Sequence, residues 1–210
     1  MRVILLLWLM SFGVSVFSQN GFYAVKDENG VRQKFAEVPH RIHSVKSAFV
    51  QEKHLSALEN KTVSKGFFYY LKENKVRLEF TTPFPNVVII NDGKMLMQDG
   101  NKAGKTNLRS TKAFQSISRI MTDFIHGTAL SNPDFSTKIL ENATQYKLEM
   151  NPENKMMKNY FSVIYLFFDK KDQNPTRLEL HEKSGDYTSL SFTNRETNIP
   201  LDEALFTVKP

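Results

Sequence analysis

Gly66-Phe67-Phe68-Tyr69-Tyr70-Leu71 is too aromatic for a surface loop, and Lys72-Glu73-Asn74 turns it back into Val76-Arg77-Leu78-Glu79-Phe80. Aromatic and β-branched residues favour a pleated, half-buried surface, and a short polar break between two such runs reads as a hairpin. Alternation sets Val76, Leu78 and Phe80 on one face of the second strand and Arg77 with Glu79 on the other. That pattern predicts a sheet with one apolar face to cover.

On the N-terminal side the same period holds. Val45, Phe49 and Gln51 alternate with Lys46, Val50 and Glu52, which predicts a first strand. Before it, residues 27–46 carry Val31, Phe35, Val38, Ile42 and Val45 at near-helical spacing, with Pro39 placed to kink or restart a helix. On the C-terminal side, Pro83 and Pro85 end the ladder because proline has no N–H to donate. Val87 to Ile90 and Met95 to Met97 then flank Asn91-Asp92-Gly93, and an Asp-Gly pair is a strong hairpin turn.

Residues 113–126 change to helical spacing. Phe114, Ile117, Ile120, Met121, Phe124 and Ile125 share one side, Gln115, Ser118, Arg119 and Asp123 the other, and Gly127 follows as a stop. The remainder reads as four strands, Tyr146 to Met150, Phe161 to Asp169, Thr176 to Glu182 and Thr188 to Thr193, the last three joined by short polar turns. About ten strands with two helices is the pattern of a mainly β, α+β fold, a curved antiparallel sheet or open barrel, and not of βαβ units. The many Phe and Met side chains on the sheet and on the helix allow two readings, a well-packed core or an adaptable, incompletely filled interior.

Composition bounds the function classes. The 210 residues are 40% hydrophobic and include 17 Phe, ample for one domain with a large core. Arg2, the apolar run Val3 to Phe17 and the small residues Val16 and Ser18 before Gln19 predict a signal peptide over residues 1–18, with a single domain over residues 19–210. That run is shorter than the ~20 residues of a membrane-spanning helix. Loss of Arg2 with the leader takes the formal charge from +6 to +5. The absence of cysteine removes disulfides, thiol chemistry and a lipidated anchor. Basic residues are scattered among carboxylates, so anionic membrane surfaces or acidic proteins fit the charge better than nucleic acid.

Several short matches, in order along the chain, resemble the periplasmic outer-membrane lipoprotein carrier (LolA) family. They are Phe49-Val50-Gln51, Gly66 to Tyr70, Arg77 before a hydrophobic residue, Pro83 ending that strand, and Asn91-Asp92-Gly93-Lys94. The closing segment, with Phe192, Asn194, Asn198, Leu201, Leu205-Phe206 and Pro210, is similar as well. The resemblance implies an incomplete, half-open barrel covered by helices, in a monomeric periplasmic protein without enzymatic activity, cofactor or metal. Its expected partners are the acyl chains of lipoproteins, an inner-membrane lipoprotein-releasing transporter and an outer-membrane acceptor. The implied cavity and lid would use Phe49, Phe68, Tyr70, Leu78, Phe80, Val88, Ile90, Met95 and Met97, then Ile117, Ile120, Met121 and Phe124, then Tyr165 and Phe167. Two departures stand out: Lys72-Glu73 where the family usually has Arg-Pro, and Arg77-Leu78 where it often has Arg-Trp. Since the missing arginine is tied to lid closure in the family, either the cycle of opening and closing is set differently here or Lys72 or Arg77 takes that part.

From the residues alone Arg77, on the face of Glu79, reads either as one half of an exposed cross-strand ion pair or as a donor to helix carbonyls or a lipid headgroup, and Asn194 and Asn198 read as turn and cap residues. Pro39, Gly127 and the polar connector Thr128 to Pro133 are candidate lid hinges. Gly100 to Thr106 lacks the spacing and the following helix of a phosphate-binding loop, and His40 with His43 lacks a third metal ligand nearby in sequence. No Gly-x-Ser-x-Gly elbow occurs. A filled, lipid-independent scaffold, or a general lipid-binding module without lipoprotein transfer, is the alternative function.

Overall fold

A computed structural model describes residues 21–37, 42–72, 74–91, 94–99, 105–106, 120–125 and 128–207. Twelve antiparallel strands form a single sheet: β1 (Tyr23–Ala24), β2 (Ser44–His54), β3 (Thr62–Leu71), β4 (Lys75–Thr82), β5 (Asn86–Asn91), β6 (Lys94–Asp99), β7 (Lys105–Thr106), β8 (Phe135–Glu141), β9 (Gln145–Pro152), β10 (Phe161–Asp169), β11 (Pro175–Glu182) and β12 (Tyr187–Thr197). Their spatial order is β1-β8-β9-β10-β11-β12-β2-β3-β4-β5-β6-β7. Among the described residues β1 and β7 are edges that do not pair with each other, so the sheet is open. Helices α1 (Glu28–Ala36) and α3 (Lys155–Tyr160), and α2 at residues 120–125, complete the architecture with 3-10 turns at Thr128–Ser131 and Glu203–Phe206.

The central seam joins the two halves of the chain. β2 pairs β12 on one side and β3 on the other, so that Phe49 lies opposite both Phe192 and Gly66. Gly66 is required there. A Cβ built on it would sit 2.0 Å from the Glu79 carbonyl oxygen and 3.0 Å from the Phe49 ring. The missing side chain leaves room for Phe49, which meets Phe80 edge to face at 5.1 Å.

The expected hairpins are present, and differences lie at the ends. Residues 27–46 are not one helix: α1 begins at the Asp27 cap, whose carboxylate accepts from the Gly30 N–H at 2.9 Å, and ends at Ala36. Val45 is already in β2, where Ser44 pairs with Leu71. β8 was not anticipated, because Phe135 and Ile139 stand four apart with Thr137 between them, a spacing a helix would also satisfy. Thr128 to Pro133 is not a loose connector. Its 3-10 turn buries Ala129, and the Asp123 carboxylate accepts from Thr128 Oγ1 at 2.9 Å and Asn132 Nδ2 at 2.6 Å. His40 and residues 100–104 lie outside the described residues, while Lys105 and Thr106 form the edge strand beside β6.

Candidate functional site

One face of the sheet is built for apolar contact. Alternation and register bring Phe49, Phe68, Tyr70, Val88 and Ile90 into one buried cluster with Leu148, Met150, Ile164, Leu166, Phe168 and Leu178, while Leu78, Phe80, Met97 and Phe192 pack against it partly buried. Two helices complete this inner face. α1 contributes Val31 and Phe35, and α2 contributes Ile120, Met121, Phe124 and Ile125, all buried. Phe168 on β10 is their common floor: Phe35 meets it at 4.8 Å and Phe124 at 5.4 Å between ring centroids. Phe124 also lies 5.6 Å from Phe192, and Phe192 lies 5.4 Å from Phe68. Burial alone pushes the Tyr70 phenol up to about 12, so it stays neutral at any physiological pH.

Between α2 and this aromatic wall is a small cavity lined by Val45, Ser47, Phe68, Phe124, Ile125, Pro175, Phe192 and Arg195. Its walls are close enough to leave room for about one water molecule. Among the described residues, the hydrogen bonds of residues 120–125 outside their own helix go to Thr128 and Asn132, in the adjoining segment. α2 therefore meets the sheet through side-chain packing, which can be exchanged for other apolar groups without breaking directional bonds.

Tyr165 and Phe167 do not belong to this wall. They sit on the outer face, opposite Ile164, Leu166 and Phe168, and their strand neighbours are polar: Tyr165 lies between Glu149 and Glu179, and Phe167 between Lys147 and Arg177. Lys147 Nζ is 3.7 Å from the Tyr165 ring centroid and the Arg177 guanidinium carbon 3.9 Å from that of Phe167. The aliphatic alternation of Ile164 and Leu166 was the available signal. Aromatic content at 165 and 167 concealed it, since rings under a cation cover an outer face equally well. Phe168, Phe192 and Arg195 are among the inner residues that the sequence reading did not select for the site. Ile117 and the side chain of Met95 lie outside what is described.

Arg77 is also on the outer face, and this corrects its expected place beside the lid. Its Nε and Nη2 donate to Glu79 Oε2 at 3.0 Å each, and its Nη1 donates to the Leu205 carbonyl at 3.1 Å. With Asn91 Nδ2 donating to the Phe206 carbonyl at 3.3 Å, it fastens the C-terminal 3-10 turn across β4 and β5, where Phe206 is buried. The pair with Glu79 runs along one strand and is half-buried, not exposed and not across strands. Lys72 is exposed, and its backbone N–H donates to the His43 carbonyl at 2.7 Å. Asn194 and Asn198 both adopt positive φ, 51° and 57°, as turn residues do, and Asn198 Oδ1 accepts from the exposed His43 N–H at 2.8 Å.

An open antiparallel sheet whose inner face is covered by helices leaves an aromatic cavity between sheet and helix, the kind of apolar concave surface at which ligands are held. The chain belongs to the outer membrane lipoprotein carrier protein LolA family, whose model matches residues 40–209. Among curated proteins no relative matches at a significant level. The fold is similar to that of a LolA superfamily protein from Nitrosomonas europaea, at 10% identity and a TM-score of 0.46 over 85% of this chain and 96% of that one. A lipoprotein-sorting protein domain from Vibrio parahaemolyticus gives 12% identity and a TM-score of 0.45 over 84% and 94% of the two chains. The MucB structure in complex with MucA from Pseudomonas aeruginosa gives 15% and 0.47, over 85% of this chain and 59% of that one. No described helix is long and apolar enough to cross a membrane.

Proposed function

We propose that this chain is a periplasmic carrier, exported by residues 1–18, that shields the acyl chains of lipoproteins between α2 and the inner face of the sheet. It would accept them from an inner-membrane releasing transporter and deliver them to an outer-membrane acceptor, as a monomer and without catalysis, cofactor or nucleic acid. The observation that carries this reading is the aromatic cavity beneath a helix held to the sheet by packing alone among the described residues. Family membership supports it.

Energetics favours such a lid. One ~16-carbon chain fully buried at about 0.8 kcal/mol per CH₂ gains roughly 13 kcal/mol. Two or three would pass the ceiling of ~18–21 kcal/mol beyond which non-covalent affinities do not go, and cargo would never leave. If Phe124 of α2 and the acyl chain compete for the same wall of Phe68 and Phe192, loading gives up the packing of the helix, and the net affinity falls into a reversible range. The test is titration of the mature protein with a triacylated lipopeptide, read by native mass spectrometry. Saturable one-to-one uptake by a protein that remains in solution is expected, and no uptake across the range would overturn the reading in favour of a filled scaffold.

A further inference from the structure

Among the described residues that line the cavity, Arg195 is the one that carries a charge. It gets there through an irregularity in β12. Phe192 pairs with Phe49 and points inward, so plain alternation would send Asn194 inward and Arg195 out. The register instead shifts between Thr193, opposite Ala48, and Glu196, opposite Lys46, so that Asn194 and Arg195 together oppose Ser47. Asn194 takes the left-handed conformation at φ 51°, and the extra residue re-aims Arg195 into the space beneath α2. Ser47 Oγ donates to the Thr193 carbonyl at 2.7 Å and supports the bulge from the opposite strand.

Arg195 arrives without a counter-charge. Its Nε and Nη2 are buried and have no hydrogen-bond partner. Among the described residues it forms no ion pair, and the carboxylate whose field reaches it is Asp172, on the turn after β10. Burial pushes the guanidinium down to about 10, with Asp172 opposing that shift, so it remains charged at neutral pH. A buried, unpaired cation is costly, and a bulge that installs one in an apolar cavity is an arrangement that a ligand can complete.

We propose that Arg195 receives the anionic head group of a single amphiphile, a carboxylate or phosphate joined to an acyl chain, while the chain lies along Phe68, Phe124 and Phe192. A guanidinium fork matches either oxyanion, and the adjacent wall supplies the apolar half of the molecule. This rests on the reading of the cavity as an acyl-binding site and adds a second class of ligand to it, because the acyl chains of a lipoprotein are joined through esters and an amide and carry no such charge.

The test uses mature protein titrated at neutral pH with hexadecanoate, its methyl ester and hexadecyl phosphate, read by displacement of a fluorescent fatty ester and by native mass spectrometry. Hexadecanoate is expected to bind on the order of tenfold more tightly than its ester, as a hydrogen bond to a charged group requires. Hexadecyl phosphate measured beside it identifies the preferred oxyanion. In Arg195→Met the ratio of acid to ester is expected to fall to about one, and in Arg195→Lys to an intermediate value. Equal binding of acid and ester by the wild-type protein overturns the anion site and leaves the acyl cavity standing, and that comparison needs no folded variant. A ratio unchanged in Arg195→Met also overturns it. Failure of all three amphiphiles to bind overturns the cavity reading together with it.

Discussion

The two faces of the sheet each hold an arginine among hydrophobic side chains, and they treat it in opposite ways. On the outer face Arg77 donates to Glu79 and to the Leu205 carbonyl and fastens the C-terminal turn over Phe206. On the inner face Arg195 is half-buried, with its Nε and Nη2 enclosed and unpaired beside Phe68, Phe124 and Phe192. Arg77 is already paired within a structural seam, whereas Arg195 keeps buried donors that a ligand could complete. On the proposed reading, the difference separates a contact that holds the fold from one that holds an occupant.

The severest challenge to this division is a change at the shared floor. Phe168→Ala removes the ring that both Phe35 and Phe124 contact, and is expected to destabilise the fold by about 3–5 kcal/mol. A shift in the denaturant midpoint measures it. A loss below about 1 kcal/mol, the cost of a well-tolerated core change, would show that the inner face is loosely filled even beneath α1. Phe124→Asp comes next. In a sealed core it would cost several kcal/mol, but a helix that can lift away lets the carboxylate reach water. Retained circular dichroism with loss of lipopeptide uptake is expected, and global unfolding would make α2 plain core.

Arg77→Ala probes the outer face. It leaves the Leu205 carbonyl without its donor and is expected to cost about 1–3 kcal/mol. Faster amide exchange at Leu205 to Thr207 with unchanged lipopeptide binding is the expected outcome, and lost binding would assign Arg77 to the cargo path. Exchange in residues 120–125 should exceed that in β3 and β4 and slow on addition of lipopeptide, because packing without directional bonds opens cheaply. One common rate for helix and strands would end the moving-lid account.

The smallest effect lies at the rim between the faces, at the turn joining β11 and β12. Asp186 is held below the usual carboxylate range first by the Ser56 backbone N–H, at 2.7 Å, and then by its hydroxyl. A lowered folded pKa stabilises the protein above the unfolded value of 3.8, and that contribution disappears as pH falls through the folded value. Acid titrations should therefore show wild type more stable than Asp186→Asn above that range and converging with it below. A difference that persists in strong acid would mean that the loops are joined by something other than this charge.

Local chemistry was enough to determine the strands around Val45 to Glu52, Gly66 to Leu71, Val76 to Phe80, Val87 to Ile90 and Met95 to Met97, and the shared face of Val76, Leu78 and Phe80. Period-two alternation and turn residues act over a few bonds and can be read along the chain. The same is true of Ile120, Met121 and Phe124, whose helical spacing already implied a shared face. Other features depended on neighbours distant in sequence. Tyr165 and Phe167 face outward because β9 and β11 place Lys147, Glu149, Arg177 and Glu179 beside them. Arg77 meets its second partner, Leu205, 128 residues away. Arg195 enters the cavity only because the pairing of β12 with β2 accommodates one extra residue. Alternation predicts which residues share a face while the register is regular. Which face is the inner one, and where a bulge exchanges the two, is decided only when the strands and helices pack.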